Sequence, residues 1–235
     1  MSPAAPAEPV AGPTALPVGL RVAGRRCVVV GAGPVGCRRA LLLAAAGAEV
    51  TVVAPTATAG PVGEEFVARA GSGDLSWERR PFEPADAAGA FLVLAATDDP
   101  SVNRAVSAAA AGGTLVARAD HAPDSDVTFP SVVERGPVTV TVATSGRAPV
   151  VGRWLADRID ERLDEVTGLD AGGLALLVDL AAELRPSGGA GVTPAAGDWR
   201  SALRRSMLDP VLLDLIRSGD RAAARERLRT CLSSS

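Results

Sequence analysis

The chain has 235 residues, of which 47% are hydrophobic and 22% are charged. This is the balance of an ordinary globular protein of one large or two modest domains, and it excludes wholesale disorder. The net charge of −3 gives no long-range attraction toward nucleic acid or an acidic membrane, so neither is expected as a partner.

The cysteines and the first residues bear on the compartment. Cys27, Cys37 and Cys231 show no CxxC spacing, which argues against a disulfide framework and against a zinc site. No apolar run reaches the roughly 18–20 residues of a membrane helix. Residues 1–18, rich in alanine and proline, lack the features of a secretory signal, and we expect a disordered tail. The expected compartment is the cytoplasm.

From Arg26 onward, short apolar strands alternate with helical patterns. Strands are predicted at 27–30, 49–53, 75–78, 90–95 and 114–119, and helices at 38–46, 62–70 and 100–111, the last capped by Asp98 or Asp99. Buried strands that alternate with helices indicate a parallel sheet covered on both faces. We therefore predict an α/β protein that begins with a Rossmann-type parallel sheet.

After Asp120 the pattern changes. Residues 138–143 alternate valine with threonine and predict a half-exposed strand, and from Val150 the pattern is helical except for a loop predicted over 186–197. The expected organisation is a tail, a Rossmann dinucleotide-binding domain, a mixed α/β region and a small helical C-terminal domain, at 1–18, 19–122, 123–168 and 169–235.

The sequence GAGPVG at 31–36 fits GxGxxG directly between a predicted strand and a predicted helix. Gly31 would permit the tight turn, Gly33 would let a pyrophosphate approach the backbone, and Gly36 would pack the helix on the strand. The helix start at Pro34 and Val35 would supply amide donors. The alternative is a glycine turn in another α/β fold.

The end of the second predicted strand lacks the usual acidic residue. Ala54 and Pro55 stand where aspartate or glutamate would hold the ribose 2′-hydroxyl of NAD, and Glu49 comes too early. No arginine is adjacent in sequence to bind the 2′-phosphate of NADP. The composition therefore does not decide between the two dinucleotides.

Several further segments accompany the glycine loop. They are the lead-in at 16–26, Arg38 with Arg39, GAEVTVVAP at 47–55, AATDD at 95–99 with Asn103, Asp120, FPS at 129–131 and TSGRAP at 144–149. Together they resemble the precorrin-2 dehydrogenase/sirohydrochlorin ferrochelatase family, which also forms the N-terminal half of bacterial siroheme synthase. The resemblance covers about residues 16–228.

The resemblance implies that NAD⁺ takes two hydrogens from precorrin-2 to give sirohydrochlorin. Many members of the family then insert ferrous iron, with cobalt as the alternative metal. The resemblance also implies a homodimer, joined through the region 123–168, with the tetrapyrrole in a cleft between the parts. The methyltransferase domain of the fused synthases is missing from this sequence, so we do not expect the chain to make precorrin-2 itself.

Asp120 matches the catalytic aspartate of the family, ten residues before a proline, here Pro130. A carboxylate there could take a proton as nicotinamide takes a hydride, and could strip pyrrole protons before metal insertion. The alternative is a turn or helix cap. The asparagine that precedes this aspartate in the family is Ala117 here. His121, the single histidine, is either a weak metal ligand or a loop residue facing water, so no firm metal ligand is predicted.

The remaining candidates would hold cofactor and substrate. Thr97, after the fourth strand, is predicted to join the glycine loop, Ala54 and Pro55 in binding the cofactor. The carboxylates of the substrate are expected to bind to arginine side chains and to a polar loop. The candidates are Arg38, Arg118, Arg147, Thr144, Ser145 and Gly146, and Arg39 and Arg135 are further candidates. Solvated surface charges and ordinary turn chemistry are the alternatives.

Two other functions fit the same pattern. An NAD(H)-sensing regulator would bind the dinucleotide without turnover and would not need Asp120. A noncatalytic tetrapyrrole carrier would bind the substrate alone. Turnover of precorrin-2 separates the enzyme from both.

Overall fold

The structure, a computed structural model, describes residues 15–110, 112–144, 146–184 and 196–233, without the side chains of 196–200 and 233. The chain divides into two compact units, Met1–Phe129 and Pro130–Ser235. The four-part organisation predicted from the sequence stays a prediction.

The first unit is a five-stranded sheet with helices. Its strands are β1 Arg26–Ala32, β2 Glu49–Ala57, β3 Ser76–Glu78, β4 Leu92–Ala95 and β5 Leu115–Arg118, and its helices are α1 Pro34–Ala45, α2 Pro61–Gly71 and α3 Pro100–Ala109. All neighbouring strands are parallel, in the order β3-β2-β1-β4-β5. The predicted Rossmann-type α/β fold is confirmed.

Both faces of this sheet are buried, as the continuous apolar strands predict. In β1, Cys27 and Val29 face one core cluster and Val28 and Val30 face the other. The first cluster contains residues of α1 and α2, including the fully buried Phe66, and the second contains residues of α3. Because the two faces are filled, function is expected at the carboxyl ends of the strands.

Two of the differences between predicted and observed boundaries have a clear physical setting. β2 continues through Pro55 to Ala57, although the sequence pattern closes it at Val53. Pairing of β2 with β3 ends at Val53, so proline, which lacks an N–H, removes no ladder bond there. α3 ends at Ala109, where the Ala110 amide bonds back to the carbonyl of Ser107 before two glycines, and residue 111 lies outside the described residues.

The second unit combines a two-stranded antiparallel hairpin with helices. The strands are β6 Ser131–Arg135 and β7 Val138–Val142, and the helices are α4 Pro149–Thr167, α5 Ala171–Glu183, α6 Ala196–Ser206, α7 Pro210–Arg217 and α8 Arg221–Ser233. The predicted half-exposed strand at 138–143 corresponds to β7, whereas β6 was not predicted. α4 packs on both strands, and Leu180, Leu212 and Leu228 are fully buried in a separate leucine-rich core.

Some predictions concern residues that are not described. Most of the predicted tail, residues 1–14, and most of the predicted loop at 186–197 lie outside the described ranges. Within those ranges no helix combines the length and the apolar character needed to cross a membrane.

Candidate functional site

The glycine loop joins β1 to α1 in a turn that tolerates no side chains at two positions. Gly31 has a φ of 100°, and a Cβ there would lie 2.4 Å from the carbonyl oxygen of Ala96, just after β4. A Cβ at Gly36 would lie 2.0 Å from the carbonyl oxygen of Gly31. Contacts within the protein itself therefore require both glycines.

Gly33 is different, because no protein atom lies within 4 Å of a Cβ placed there. It precedes Pro34 at the start of α1, and no side chain caps this helix. The first-turn amides of Val35 and Gly36 are thus available to an anion, and the open space over Gly33 admits a pyrophosphate. The residues present fit a dinucleotide.

These contacts separate two glycine substitutions. We expect Gly33→Ala to leave the melting temperature unchanged and to weaken NAD⁺ binding at least about tenfold, because its methyl group occupies the space of the pyrophosphate. Gly36→Ala is expected to cost about 1–3 kcal/mol of stability through the clash with Gly31. Isothermal calorimetry with NAD⁺ and thermal unfolding measure the two effects, and full NAD⁺ affinity in Gly33→Ala would contradict the assignment.

At the end of β2, the two predicted cofactor residues present different surfaces. Ala54 is buried, and its carbonyl oxygen accepts a hydrogen bond of 2.9 Å from Trp77 Nε1 on β3. Pro55 is exposed. Neither side chain can bond to a ribose hydroxyl, so any contact here is through the backbone or by packing.

Thr97, just after β4, is held by a buried asparagine on α3. Asn103 is completely buried, and its Oδ1 accepts bonds from the Thr97 amide, at 3.1 Å, and from Thr97 Oγ1, at 2.8 Å. Its Nδ2 donates to the Thr97 carbonyl oxygen at 3.0 Å. Asp99 caps α3 by accepting from the Ser101 amide. The loop after β4 is thereby fixed at the edge where Gly31 turns.

Asp120 follows β5 and forms a two-pronged ion pair with Arg118. Arg118 Nε lies 3.1 Å from Asp120 Oδ1, and Arg118 Nη2 lies 2.7 Å from Asp120 Oδ2. The third nitrogen, Nη1, lies 2.6 Å from Asp124 Oδ2. The side chain of Arg118 is only 7% exposed, whereas that of Asp120 is 27% exposed. A fixed guanidinium therefore orients a carboxylate that solvent still reaches.

The same neighbours set the ionisation of Asp120. The hydrogen bonds from Arg118 hold the pKa of the Asp120 carboxyl below its usual range, partial burial opposes this, and a hydrogen bond from Asn103 adds to the lowering. Asn103, which bonds to Thr97, thus also influences the ionisation of Asp120, and the carboxylate is anionic at neutral pH.

His121 is paired away from Asp120. Its Nδ1 lies 3.2 Å from Asp124 Oδ2, and the histidine side chain is 51% exposed. Within the described residues, no group of three or more histidine, cysteine, aspartate or glutamate side chains could hold a metal ion. The alternative that His121 is a metal ligand finds no cluster of further ligands among the described residues.

The predicted substrate arginines differ in whether their guanidinium groups are already paired within the protein. Arg118 has its donors engaged by Asp120 and Asp124, and Arg135 in the second unit is paired with Asp160 on α4 at 3.0 Å. Arg38 and Arg147 are exposed. Arg39 is half-buried, with its guanidinium carbon 4.4 Å above the ring of Phe129. The substrate roles of these arginines stay predictions.

The polar loop of the second unit shows turn chemistry. Thr144 Oγ1 accepts a bond of 3.2 Å from the Ala148 amide, and the Arg147 amide donates to the Thr144 carbonyl oxygen. Gly146 has a φ of 74°, which a glycine adopts without strain. Ser145 lies outside the described residues. The hydroxyl of Thr144 is therefore already engaged in shaping the turn before α4.

No role for Asn103 was predicted from the sequence. A signal was present, since this amide stands next to Val102 on a helix whose buried residues are otherwise apolar. A completely buried polar side chain needs partners, which marks such a position for structural or functional use. The pairing of Arg118, the last residue of β5, with Asp120 two residues later was missed as well.

Comparisons with known proteins find a dinucleotide-binding family model and siroheme synthases. A family model described as "Putative NAD(P)-binding" matches residues 18–131. The siroheme synthase of Methylobacillus flagellatus is 34% identical over 93% of this chain and 44% of its own length. The siroheme synthase of Chromobacterium violaceum is 35% identical over 90% of this chain and 42% of its own length. The chain spans less than half the length of these relatives.

A solved structure agrees with the fold. The chain named "SirC, precorrin-2 dehydrogenase" superposes with a TM-score of 0.62, at 23% identity, over 94% of this chain and all of that one. The likeness therefore extends through both units of the chain.

Proposed function

We propose that the chain belongs to the precorrin-2 dehydrogenase/sirohydrochlorin ferrochelatase family and that it oxidises precorrin-2 to sirohydrochlorin with NAD⁺ in siroheme biosynthesis. The substrate is thus a tetrapyrrole with many carboxylates, and the enzyme is an oxidoreductase. The cytoplasm, expected from the sequence, is part of the same proposal.

One observation carries the proposal. An uncapped helix start at the glycine loop and an anionic carboxylate at Asp120 lie at the same edge of the sheet, because β1, β4 and β5 are parallel and end there. An edge of this kind is where open α/β sheets bind their ligands. A regulator that only senses the dinucleotide has no use for the carboxylate.

The residues divide the chemistry between them. The amides of Val35 and Gly36 would hold the pyrophosphate, and the loop of Thr97, fixed by Asn103, would lie against the nicotinamide half. When bound, the nicotinamide would accept a hydride. Asp120 would accept the proton, so that precorrin-2 loses a hydride and a proton and the dinucleotide is reduced.

The low pKa of Asp120 suits this role in one respect and limits it in another. The carboxylate is deprotonated and ready at neutral pH, but a weakly basic group receives a proton less readily. Its contribution then depends on being held in position and on placing negative charge beside the carbon that loses the hydride. Arg118 supplies the positioning.

Metal insertion into sirohydrochlorin is a second proposal that rests on the resemblance alone. Ferrous or cobalt ion would be the substrate metal, and Asp120 would take the pyrrole protons. The cation of Arg118, bonded to both oxygens of Asp120, opposes the approach of a second cation. We therefore place dehydrogenation first.

We further propose that the protein is a homodimer joined through α4. Leu155, Ile159, Leu163 and Val166 follow one another at three- or four-residue spacing along one side of this helix, with Arg158 and Arg162 beside them. Leu155 is 38% exposed and Val166 is 79% exposed. An apolar row flanked by charges, including the pair Arg158–Glu161, suits a two-fold pairing with a second copy.

A charge in this row tests the dimer. We expect the wild type to sediment at about 47 kDa, twice the chain mass of 23.7 kDa, and Leu155→Glu to sediment as a monomer, because the pairing would bury unpaired carboxylates. Analytical ultracentrifugation measures both, and Arg153→Glu, a charge change on the same helix, serves as the control. A monomeric wild type would contradict the proposal.

Steady-state turnover tests the activity itself. Under anaerobic conditions, the protein should form sirohydrochlorin from precorrin-2 with NAD⁺ and without added metal. Ferrous or cobalt ion added afterwards tests chelation. Binding of NAD⁺ without product would instead support the sensing regulator, and binding of precorrin-2 without dinucleotide binding would support the carrier.

A further inference from the structure

No acidic residue stands at the end of β2, which forms the adenosine end of the proposed dinucleotide site. Ala54, Pro55 and Thr56 follow one another where β2 passes the last residue paired with β3. In a site restricted to NAD, a carboxylate here binds the ribose hydroxyls and repels a 2′-phosphate. Nothing on β2 excludes the phosphorylated dinucleotide from this site.

The register of β3 brings an arginine to the same place. Val52 is opposite Trp77, and Val53 is opposite Glu78, in parallel pairing. Arg79 is the next residue of the chain, so its backbone follows that of Glu78 to the level of Ala54. No arginine directly follows β2 in the sequence. Arg79 comes next to β2 only in the folded sheet, through the pairing of β2 with β3.

The side chain of Arg79 rests on a fixed aromatic platform. Its guanidinium carbon lies 4.2 Å from the ring centre of Trp77. Trp77 is held by its bond of 2.9 Å to the Ala54 carbonyl oxygen and by an edge contact with Phe66, 5.1 Å between ring centres. An exposed cation is thereby oriented beside the end of β2, which lowers the entropy that binding would cost.

The donors of Arg79 are uncommitted. No ion pair or hydrogen bond of its guanidinium is found in the part of the chain that the structure describes. Its neighbour Arg80 contrasts with it, since Nη1 and Nη2 bond to the carboxylate of Asp86 at 2.9 and 2.6 Å. Glu78 faces Arg80 at 3.9 Å. Arg80 therefore has its donors engaged within the protein, whereas those of Arg79 are not engaged by the described residues.

We propose that Arg79 binds the ribose 2′-phosphate, so that the protein accepts NADP⁺ as well as NAD⁺. Forked guanidinium donors match phosphate oxygens, and the stacked face of the group leaves its edge toward the ligand. This inference rests on the proposed dinucleotide site and deepens it by naming the residue that sets cofactor choice.

Calorimetric binding of the two dinucleotides tests the inference without any tetrapyrrole. We expect wild-type affinities for NAD⁺ and NADP⁺ within about tenfold of each other. Arg79→Gln should weaken NADP⁺ at least about tenfold and change NAD⁺ less than about twofold, because only NADP⁺ carries the phosphate. Arg79→Lys, which keeps the charge, should restore part of the NADP⁺ affinity. Arg80→Gln, the matched control, should leave the ratio of affinities unchanged.

The outcomes separate this inference from the proposed function. A wild type that binds NAD⁺ more than about a hundredfold tighter than NADP⁺ would overturn the role of Arg79, as would equal weakening of both by Arg79→Gln. Turnover of precorrin-2 with NAD⁺ would survive either result. Conversely, selective loss of NADP⁺ binding in a protein that never oxidises precorrin-2 would keep the inference and refute the proposed enzyme.

Discussion

Replacement of Asp120 by asparagine is expected to lower kcat for precorrin-2 oxidation by about 10²–10⁴-fold. Asparagine has nearly the same shape but cannot accept the proton or carry the negative charge. Because Asp120 follows β5, and β4 lies between β5 and the β1 strand that carries the glycine loop, NAD⁺ affinity should change less than about twofold. Anaerobic stopped-flow measurement of NADH formation gives kcat, and calorimetry gives the affinity.

Asp124 provides the matched control for this substitution. It is a second carboxylate on the same guanidinium, at 2.6 Å from Arg118 Nη1, and it is more exposed than Asp120. Asp124→Asn removes one bond from Arg118 and leaves the pairing with Asp120 intact, so its kcat should stay within about threefold of wild type. Near-normal turnover in Asp120→Asn would show that Asp120 only shapes the loop.

Arg118→Gln is expected to change the pH dependence of the reaction as well as its rate. At pH 8 we expect kcat/KM to fall about tenfold, because the carboxylate loses its fixed orientation. The fall should become larger as the pH is lowered. Arg118 holds the pKa of Asp120 down, and the reaction needs the deprotonated form, so loss of Arg118 raises this pKa and activity disappears at a higher pH.

The charged groups around Asp120 support this sign. Arg118 on β5 is the cation bonded to it, Asn103 on α3 is neutral, and Asp124 and His121 are bonded to each other in the turn that follows β5. Without Arg118, the negative charge of Asp124 would raise the pKa of Asp120 further. Arg118→Lys should recover part of the acid tolerance. An unchanged pH profile in Arg118→Gln would mean that Asp120 is not the group whose ionisation limits the reaction.

The sequence predicts the sheet well because its information is local. A few consecutive residues are enough to predict the structure of three segments: the run from Cys27 to Val30, the glycine loop and the β-branched strand after Gly47. β6 was missed because Ser131–Arg135 mixes valine with charged residues, and only pairing with β7 makes it a strand. β2 extends through Pro55 to Ala57 because Ala57 pairs with Ala32 of β1 beyond a register shift, and no local pattern contains that pairing.

The candidate site also combines residues that can be predicted from local sequence with contacts that form only in the folded protein. Gly31 and Gly36 could be assigned their steric roles from the motif, and Asp120 from the family resemblance. The bonds of Asn103 on α3 to Thr97 after β4 join two different elements, so they require the folded sheet. Arg79 was excluded as a neighbour of β2 on sequence distance alone, although parallel register places it there.

A single-turnover experiment tests whether the protein oxidises precorrin-2 with NAD⁺ and whether Asp120 takes part. Equimolar protein, NAD⁺ and precorrin-2 would be mixed anaerobically without metal, and NADH and sirohydrochlorin would be followed together by their absorbance. We expect the two products to rise at the same rate and in equal amounts in the wild type, and at least about a hundredfold more slowly in Asp120→Asn. Binding of NAD⁺ without formation of either product would contradict the proposed enzyme.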